Sequence, residues 1–204
     1  LKSVLLDSFA HIRVYGAGAG SLPDSLATAT LEKLSPRPEI RSAVPVLSSN
    51  LMAQNGGKAR GGMMQAYATG KGEAAIHAKY VAQGSAQVAP GEVILGHYLA
   101  RDLGLALEDT VLVSFPRLDL ITPLGMYPNQ RSLKVTGIYN SGFYEYDRSL
   151  MIGSLADLRA LSGLASGFSN IELHLGNAFA DDAQRLAAEY DQLIGPAVYA
   201  APVV

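Results

Sequence analysis

Between His11 and Tyr15 the chain alternates, with Ile12 and Val14 on one side and His11, Arg13 and Tyr15 on the other, which predicts a half-buried strand. A glycine-rich turn follows. Ser21, three residues before Asp24 and with Pro23 at the first helical position, predicts a capping box and a helix carrying Leu26, Thr30, Leu31 and Leu34. Pro36 and Pro38 end it. Strands are expected over 42–54 and 58–69, joined by Asn55-Gly56-Gly57, a hairpin signal because asparagine and glycine reach positive φ cheaply. Near the other end, 170–175 alternates again. Asn177 is placed to cap a helix with Asp181 and Asp182 in its first turn and an apolar stripe of Ala183, Leu186, Ala187, Tyr190 and Leu193. Gly195-Pro196 ends that helix, and 197–203 reads as a last strand.

These two ends together give β-α-β-β and β-α-β, an α+β, split β-α-β (ferredoxin-like) pattern, provided that the middle of the chain is an insertion. The expected organisation is therefore 1–70 with 165–204 as one subdomain and 71–164 as an inserted α+β subdomain. Within the insertion, 92–95 is a short strand and Leu99, Ala100 and Leu103 line a short helix ended by Gly104. Strands are expected at 110–115 and 132–139. After 150–152, Ser154 and Asp157 have capping-box spacing for a helix carrying Leu155, Leu158 and Leu161. The stretch 73–81 reads as a solvated helix.

The composition narrows the function. Of 204 residues 49% are hydrophobic and 17% charged, below the roughly 25% of an average soluble domain, so the surface is poor in charge and suited to partner contacts. With 16 Lys and Arg against 18 Asp and Glu and no basic cluster, no nucleic-acid partner is expected. Cys 0 excludes a disulfide, a thiolate metal site and a cysteine nucleophile. No run of 18 apolar residues occurs, and a start at Leu1 without methionine suggests a processed protein or an excised fragment.

Chemical motifs are weak. Gly16-Ala-Gly18-Ala-Gly20 stands between a strand and a helix, but its third glycine is misplaced for a dinucleotide turn and a hairpin follows where a parallel crossover is needed. Gly56-Gly57-Lys58 lacks the upstream glycine and the following hydroxyl of a phosphate loop, having Met52 and Ala59 instead. His11, His77, His97 and His174 share no ligand spacing, and no G-x-S-x-G occurs. No catalytic residue, metal or cofactor is expected, and the chain is not read as an enzyme.

One segment stands out. The connection between the strands at 110–115 and 132–139 is far longer than the usual two to five residues of a hairpin. It is also apolar and proline-stiffened: Leu118, Leu120, Ile121, Leu124, Met126 and Tyr127 lie among Pro116, Pro123 and Pro128. It reads either as a protruding binding arm or as a flap over its own subdomain.

Several strings here resemble a known family, the transmembrane subunits of the bacterial lipoprotein-releasing ABC transporter (LolC/LolE type), within the wider class of MacB-like permeases with a periplasmic core domain. The looser parts are His11-Ile-Arg-Val and Gly91-Glu-Val-Ile-Leu-Gly-His-Tyr-Leu-Ala-Arg-Asp-Leu-Gly104 followed by Asp109-Thr-Val-Leu-Val. The sharper part is Thr122-Pro-Leu-Gly-Met-Tyr-Pro-Asn-Gln-Arg131 followed by Val135-Thr-Gly-Ile-Tyr139.

The resemblance implies a porter-like subdomain from both ends and an inserted Sabre-type subdomain bearing a hairpin arm, the hook. It implies a hook at 116–128, comprising Pro116, Leu118, Leu120, Ile121, Thr122, Pro123, Leu124, Gly125, Met126, Tyr127 and Pro128, with Leu124 at the tip. Gln130 and Arg131 would belong to an adjacent pad, in which Leu112 stands where a basic residue is expected. The partners implied are a periplasmic carrier of the LolA type, lipoprotein substrates, a second permease subunit or a copy of the chain, and a separate cytoplasmic ATPase of the LolD type. The location implied is the periplasmic side of an inner membrane. A MacB-like efflux or signalling permease, binding an adaptor, is the alternative.

Overall fold

The structure is a computed structural model that describes residues 10–18, 21–68, 78–115, 121–122, 125–126, 128–176 and 180–203. In chain order its elements are β1 (Ile12–Gly16), α1 (Asp24–Leu34), β2 (Ile40–Asn55), β3 (Lys58–Tyr67), β4 (Val81–Gly84), β5 (Glu92–Gly96), α2 (His97–Leu103), β6 (Thr110–Phe115), β7 (Ile121–Thr122), β8 (Gly125–Met126), β9 (Asn129–Tyr139), α3 (Tyr144–Asp147), β10 (Leu150–Gly153), α4 (Leu155–Ser162), β11 (Asn170–Leu175), α5 (Ala180–Ile194) and β12 (Val198–Pro202).

The chain divides into two compact units, Leu1–Leu47 with Ser166–Val204, and Ser48–Ala165. The inserted unit therefore starts at 48 and not at 71. The boundary falls inside β2, which runs as one strand over Ile40–Asn55, so no loop marks it.

In the two-ended unit β1 pairs antiparallel with β12 and with β11, and β11 pairs antiparallel with residues 40–46 of β2. The order β12-β1-β11-β2 interleaves two β-α-β crossovers, one through α1 and one through α5. Ile12, Val14, Ile171 and Leu173 supply the sheet's share of the core, and Ala27, Leu34, Ala183, Leu186 and Tyr190 the helices' share. Leu26, Leu31 and Leu193 are only half-buried, and Ile194 takes the last buried position of the α5 stripe. The expected Ser21–Asp24 capping box does not form. Pro23 caps α1 without a side-chain bond, and the Asp24 carboxylate accepts the Gly167 N–H at 2.9 Å, beside a bridge between Leu22 and Phe168. Asn177 lies outside the described residues.

The inserted unit closes on itself. The second half of β2 is joined to β3, β3 runs parallel to β10, β10 antiparallel to β5, β5 parallel to β9, β9 antiparallel to β6, and β6 antiparallel to residues 52–54 of β2. Six strands thus form a ring, which leaves few open edges. Helix α4 packs against β3, β6 and β9 of that ring. The hairpin between β2 and β3 turns at Gly56, whose φ of +56° is why glycine stands there. The expected helix over 73–81 is not seen in its described part: 78–80 make one 3-10 turn, and 81–84 form β4, paired antiparallel to β9.

Candidate functional site: the arm root and its charged latch

The long connection singled out in the sequence starts and ends on paired strands. β6 and β9 pair over six positions, from Thr110↔Lys134 to Phe115↔Asn129, so β9 begins three residues earlier than the expected 132. The connection between Phe115 and Asn129 comprises residues 116–128. Within it Ile121 pairs with Met126 and Thr122 with Gly125, a two-rung antiparallel ladder. Pro128 is exposed. Pro116, Leu118, Leu120, Pro123, Leu124 and Tyr127 lie outside the described residues.

Strand alternation separates the two pad candidates. Gln130 and Arg131 are neighbours on β9, so their side chains leave opposite faces. Arg131 shares its face with Leu133 and Val135, both fully buried, and lies across from Val113, also fully buried. Gln130 is on the outer face, across from Ser114, which is itself the partner of Met52. Leu112, the position where the resemblance expects a basic residue, is half-buried on that same outer face, between Gln54 and Ser132. Beside this row, Asn50, Leu51, Met52, Gly61, Gly62, Met63 and Ser149 line a mainly apolar recess of about 580 Å³. The outer face is therefore uncharged from Met52 to Ser132.

Arg131 is engaged. Its Nε lies 3.0 Å from Oδ1 of Asp157, a carboxylate 1% exposed, while the Arg131 side chain itself is 45% exposed. The contact is one of charge, and Oδ1 receives no directed hydrogen bond. The other oxygen, Oδ2, accepts the Gly91 N–H and the Ser154 hydroxyl, each at 2.7 Å. Ser154 Oγ in turn accepts the Asp157 N–H at 3.0 Å, so the capping box foreseen from spacing is formed and carries a buried charge. Asn129, two residues before Arg131 on the same face, donates to the Leu161 carbonyl at 2.9 Å. The start of β9 is thereby tied to both ends of α4.

Lys134 completes the electrostatics of β9. Its ammonium bonds Glu108 at 2.5 Å, and that hydrogen bond, helped by the carboxylate's charge, holds its pKa above the usual lysine value. Each cation of β9 thus has its own carboxylate. Sequence reasoning missed Asp157 as part of this site. The capping box drew attention to it as a helix start, but nothing local joins it to Arg131, 26 residues upstream. Among the described residues no group of three or more His, Cys, Asp or Glu could hold a metal ion, and no helix is long and apolar enough to cross a membrane.

Residues 2–190 match the family model of the MacB-like periplasmic core domain, and the chain belongs to that family. More particularly, it is 30% identical over 145 residues to the lipoprotein-releasing system transmembrane protein LolC of Neisseria meningitidis serogroup B, covering 69% of this chain and 35% of that protein. To the LolC of Xylella fastidiosa (strain Temecula1) it is 27% identical over 179 residues, covering 86% and 42%. The chain thus spans less than half the length of the curated relatives it matches. Among solved structures it resembles the periplasmic region of MacB from Actinobacillus actinomycetemcomitans, with TM-score 0.61, 14% identity and coverage of 99% and 92%. It also resembles the extracellular domain of the noncanonic ABC-type transporter YknZ from Gram-positive bacteria, with TM-score 0.60, 13% identity and coverage of 93% and 98%. These likenesses establish a mixed α+β fold of the MacB and YknZ periplasmic type.

Proposed function

We propose that this chain is the periplasmic domain of an inner-membrane ABC transporter permease that docks a LolA-type carrier and passes lipoproteins to it. In this reading the two-ended unit is the porter-like subdomain and the inserted unit the Sabre-type subdomain. The observation that carries it is the arm: a thirteen-residue, apolar, proline-rich excursion rooted on the paired β6 and β9, in a chain similar to LolC proteins. The chemistry is transfer without covalent change. Exposing a lipid anchor to water costs about 0.8 kcal/mol per methylene, tens of kcal/mol for dozens of them, so the carrier must be in place before the lipid leaves. A stiff arm supplies that placement. Burying a leucine-sized tip contributes roughly 1.5 to 3 kcal/mol, and prolines lower the ordering cost. ATP hydrolysis belongs to a separate cytoplasmic subunit, and the permease works with a second subunit or a copy of itself.

The test is calorimetric titration with the carrier. Leu124→Glu should weaken binding by a few kcal/mol, because a pocket shaped for an apolar tip would have to desolvate a charge. Deleting 118–127 and closing with Asn-Gly should abolish binding and keep the melting temperature within a few degrees. A large loss of stability on deletion would make the segment a flap over its own unit. Equal affinities of wild type and Leu124→Glu would remove the tip from the interface.

A further inference from the structure

We infer that Asp157 is the positioning residue of the docking surface: it turns Arg131 from a mobile cation into a fixed, charge-neutral donor fork that reads an uncharged carbonyl oxygen of the docked carrier. This rests on the docking role proposed above. Arg131 stands two residues above Asn129, the position paired with Phe115 at the root of the arm, so a chain that follows the arm to its base arrives at this guanidinium. Its Nε lies 3.0 Å from Asp157 Oδ1 in a contact of charge, and with the side chain 45% exposed the two Nη groups are open to a partner. Among the described residues Arg131 has no other polar contact.

The sign of the electrostatics then decides what the fork prefers. A free surface arginine would attract carboxylates through its net charge and lose that attraction in salt. Here the carboxylate is 1% exposed and lies 3.0 Å away, where its field is little screened, so the pair presents directed N–H groups without net charge. Lys134, two residues beyond Ser132 on the outer face, is likewise matched by Glu108, and the row before it, Met52, Gln54, Leu112, Ser114, Gln130 and Ser132, is uncharged. Nothing along this stretch favours an anionic partner. A carbonyl oxygen, by contrast, has two lone pairs that accept converging N–H groups, one from each Nη. Fixing the fork beforehand also removes the rotamer ordering that a long side chain otherwise loses on docking. The buried carboxylate has no freedom to move, since Gly91 and Ser154 hold its second oxygen at 2.7 Å each.

Titration of the folded domain with the carrier at low and high salt tests this, using wild type, Arg131→Ala, Arg131→Lys, Asp157→Asn and the double variant Arg131→Ala/Asp157→Asn, each checked by thermal melting. Wild-type affinity should be nearly independent of salt. Arg131→Lys, which keeps the charge and loses the fork, should weaken binding about tenfold, as should Asp157→Asn, in line with a lost charge-assisted hydrogen bond. The double variant should bind no more weakly than Arg131→Ala alone, because Asp157 acts only through Arg131. A structural role for Asp157 would instead give additive losses. Wild-type affinity for Arg131→Lys or for Asp157→Asn overturns the positioning role, as does a steep salt dependence that Arg131→Ala abolishes. No binding by wild type at all would overturn the docking role itself, a result distinct from either.

Discussion

Arg13 and Glu172 face each other across β1 and β11, with Arg13 Nη2 and Nε both 3.0 Å from Glu172 Oε1. Glu172 is 3% exposed, and burial raises its pKa above the usual carboxylate value even though the charge and hydrogen bond of Arg13 pull it down. Replacing Arg13 by methionine keeps the stem and removes the cation. Breaking a buried pair on one side costs roughly 3 to 5 kcal/mol, and since a quarter of the Arg13 side chain is already in water the expected loss near neutral pH is about 2 to 4 kcal/mol. Protonation caps it. Holding a carboxyl neutral at three pH units above its ordinary 4.5 costs about 4 kcal/mol at roughly 1.4 per unit.

The pH dependence follows from the direction of the shift. A carboxyl with a raised folded-state pKa leaves stability intact below about 4.5 and withdraws it as pH rises through the folded value. Removing Arg13 pushes that value further up and widens the window. Urea melts of wild type and Arg13→Met near pH 4.5 and 7.5 should therefore show a gap that shrinks below about 1 kcal/mol at the acid end, and Glu172→Gln in the Arg13→Met background should recover most of the neutral-pH loss. A gap of equal size at both pH values would refute the reasoning, since packing and not charge would then account for it.

Arg131→Ala should lower the stability of the inserted unit by about 1 to 2 kcal/mol by leaving the Asp157 carboxylate uncompensated, while Gln130→Ala on the outer face stays within about 0.5 kcal/mol; thermal melts of the two variants decide. A Cβ at Gly62 would sit 2.5 Å from the Ser149 backbone oxygen, whereas one at Gly61 meets nothing within 4 Å. Gly62→Ala should thus cost about 1 to 3 kcal/mol and Gly61→Ala nothing or less than nothing, and denaturant midpoints that coincide would contradict the close approach of β3 to Ser149.

Local signals were legible where a residue's partner lies a few positions away. The Asn55-Gly56-Gly57 turn, Gly104 at φ +69° after α2, the α5 stripe and the Ser154–Asp157 box all depend on neighbours within one or two turns. Ring closure had no such signal. That β6 meets β2 as well as β9 rests on pairs such as Val113↔Ala53, sixty residues apart, and alternation looks the same whether a strand is at an edge or between two partners. β4 was missed because its burial is only half-buried, then exposed throughout, so nothing alternates. α3 is a single turn held by the buried Asp147, which accepts Ser141 N–H, Ser141 Oγ–H and Gly142 N–H, a loop device rather than a helical pattern. The overlong apolar connection was visible, but the resemblance assigned Gln130 and Arg131 to one pad, whereas the pleat sends the two to opposite faces of β9.

That division of faces bears on why the arm is carried where it is. A long excursion at a free sheet edge would have a root that frays, because an edge strand is held on one side only. Here β6 is bonded to β2 on its far side next to the root, at Leu112–Ser114, and β9 to β5 from Lys134 onward. Arg131 and Asn129 add side-chain ties from the first turns of β9 to α4. The inward face of β9 thus uses Asn129 and Arg131 to tie the strand to α4, and the outward face is uncharged at Gln130 and Ser132 and charged at Lys134. If the domain docks a carrier as proposed, a substitution on the inward face should change stability and docking together, whereas one on the outward face should change docking alone.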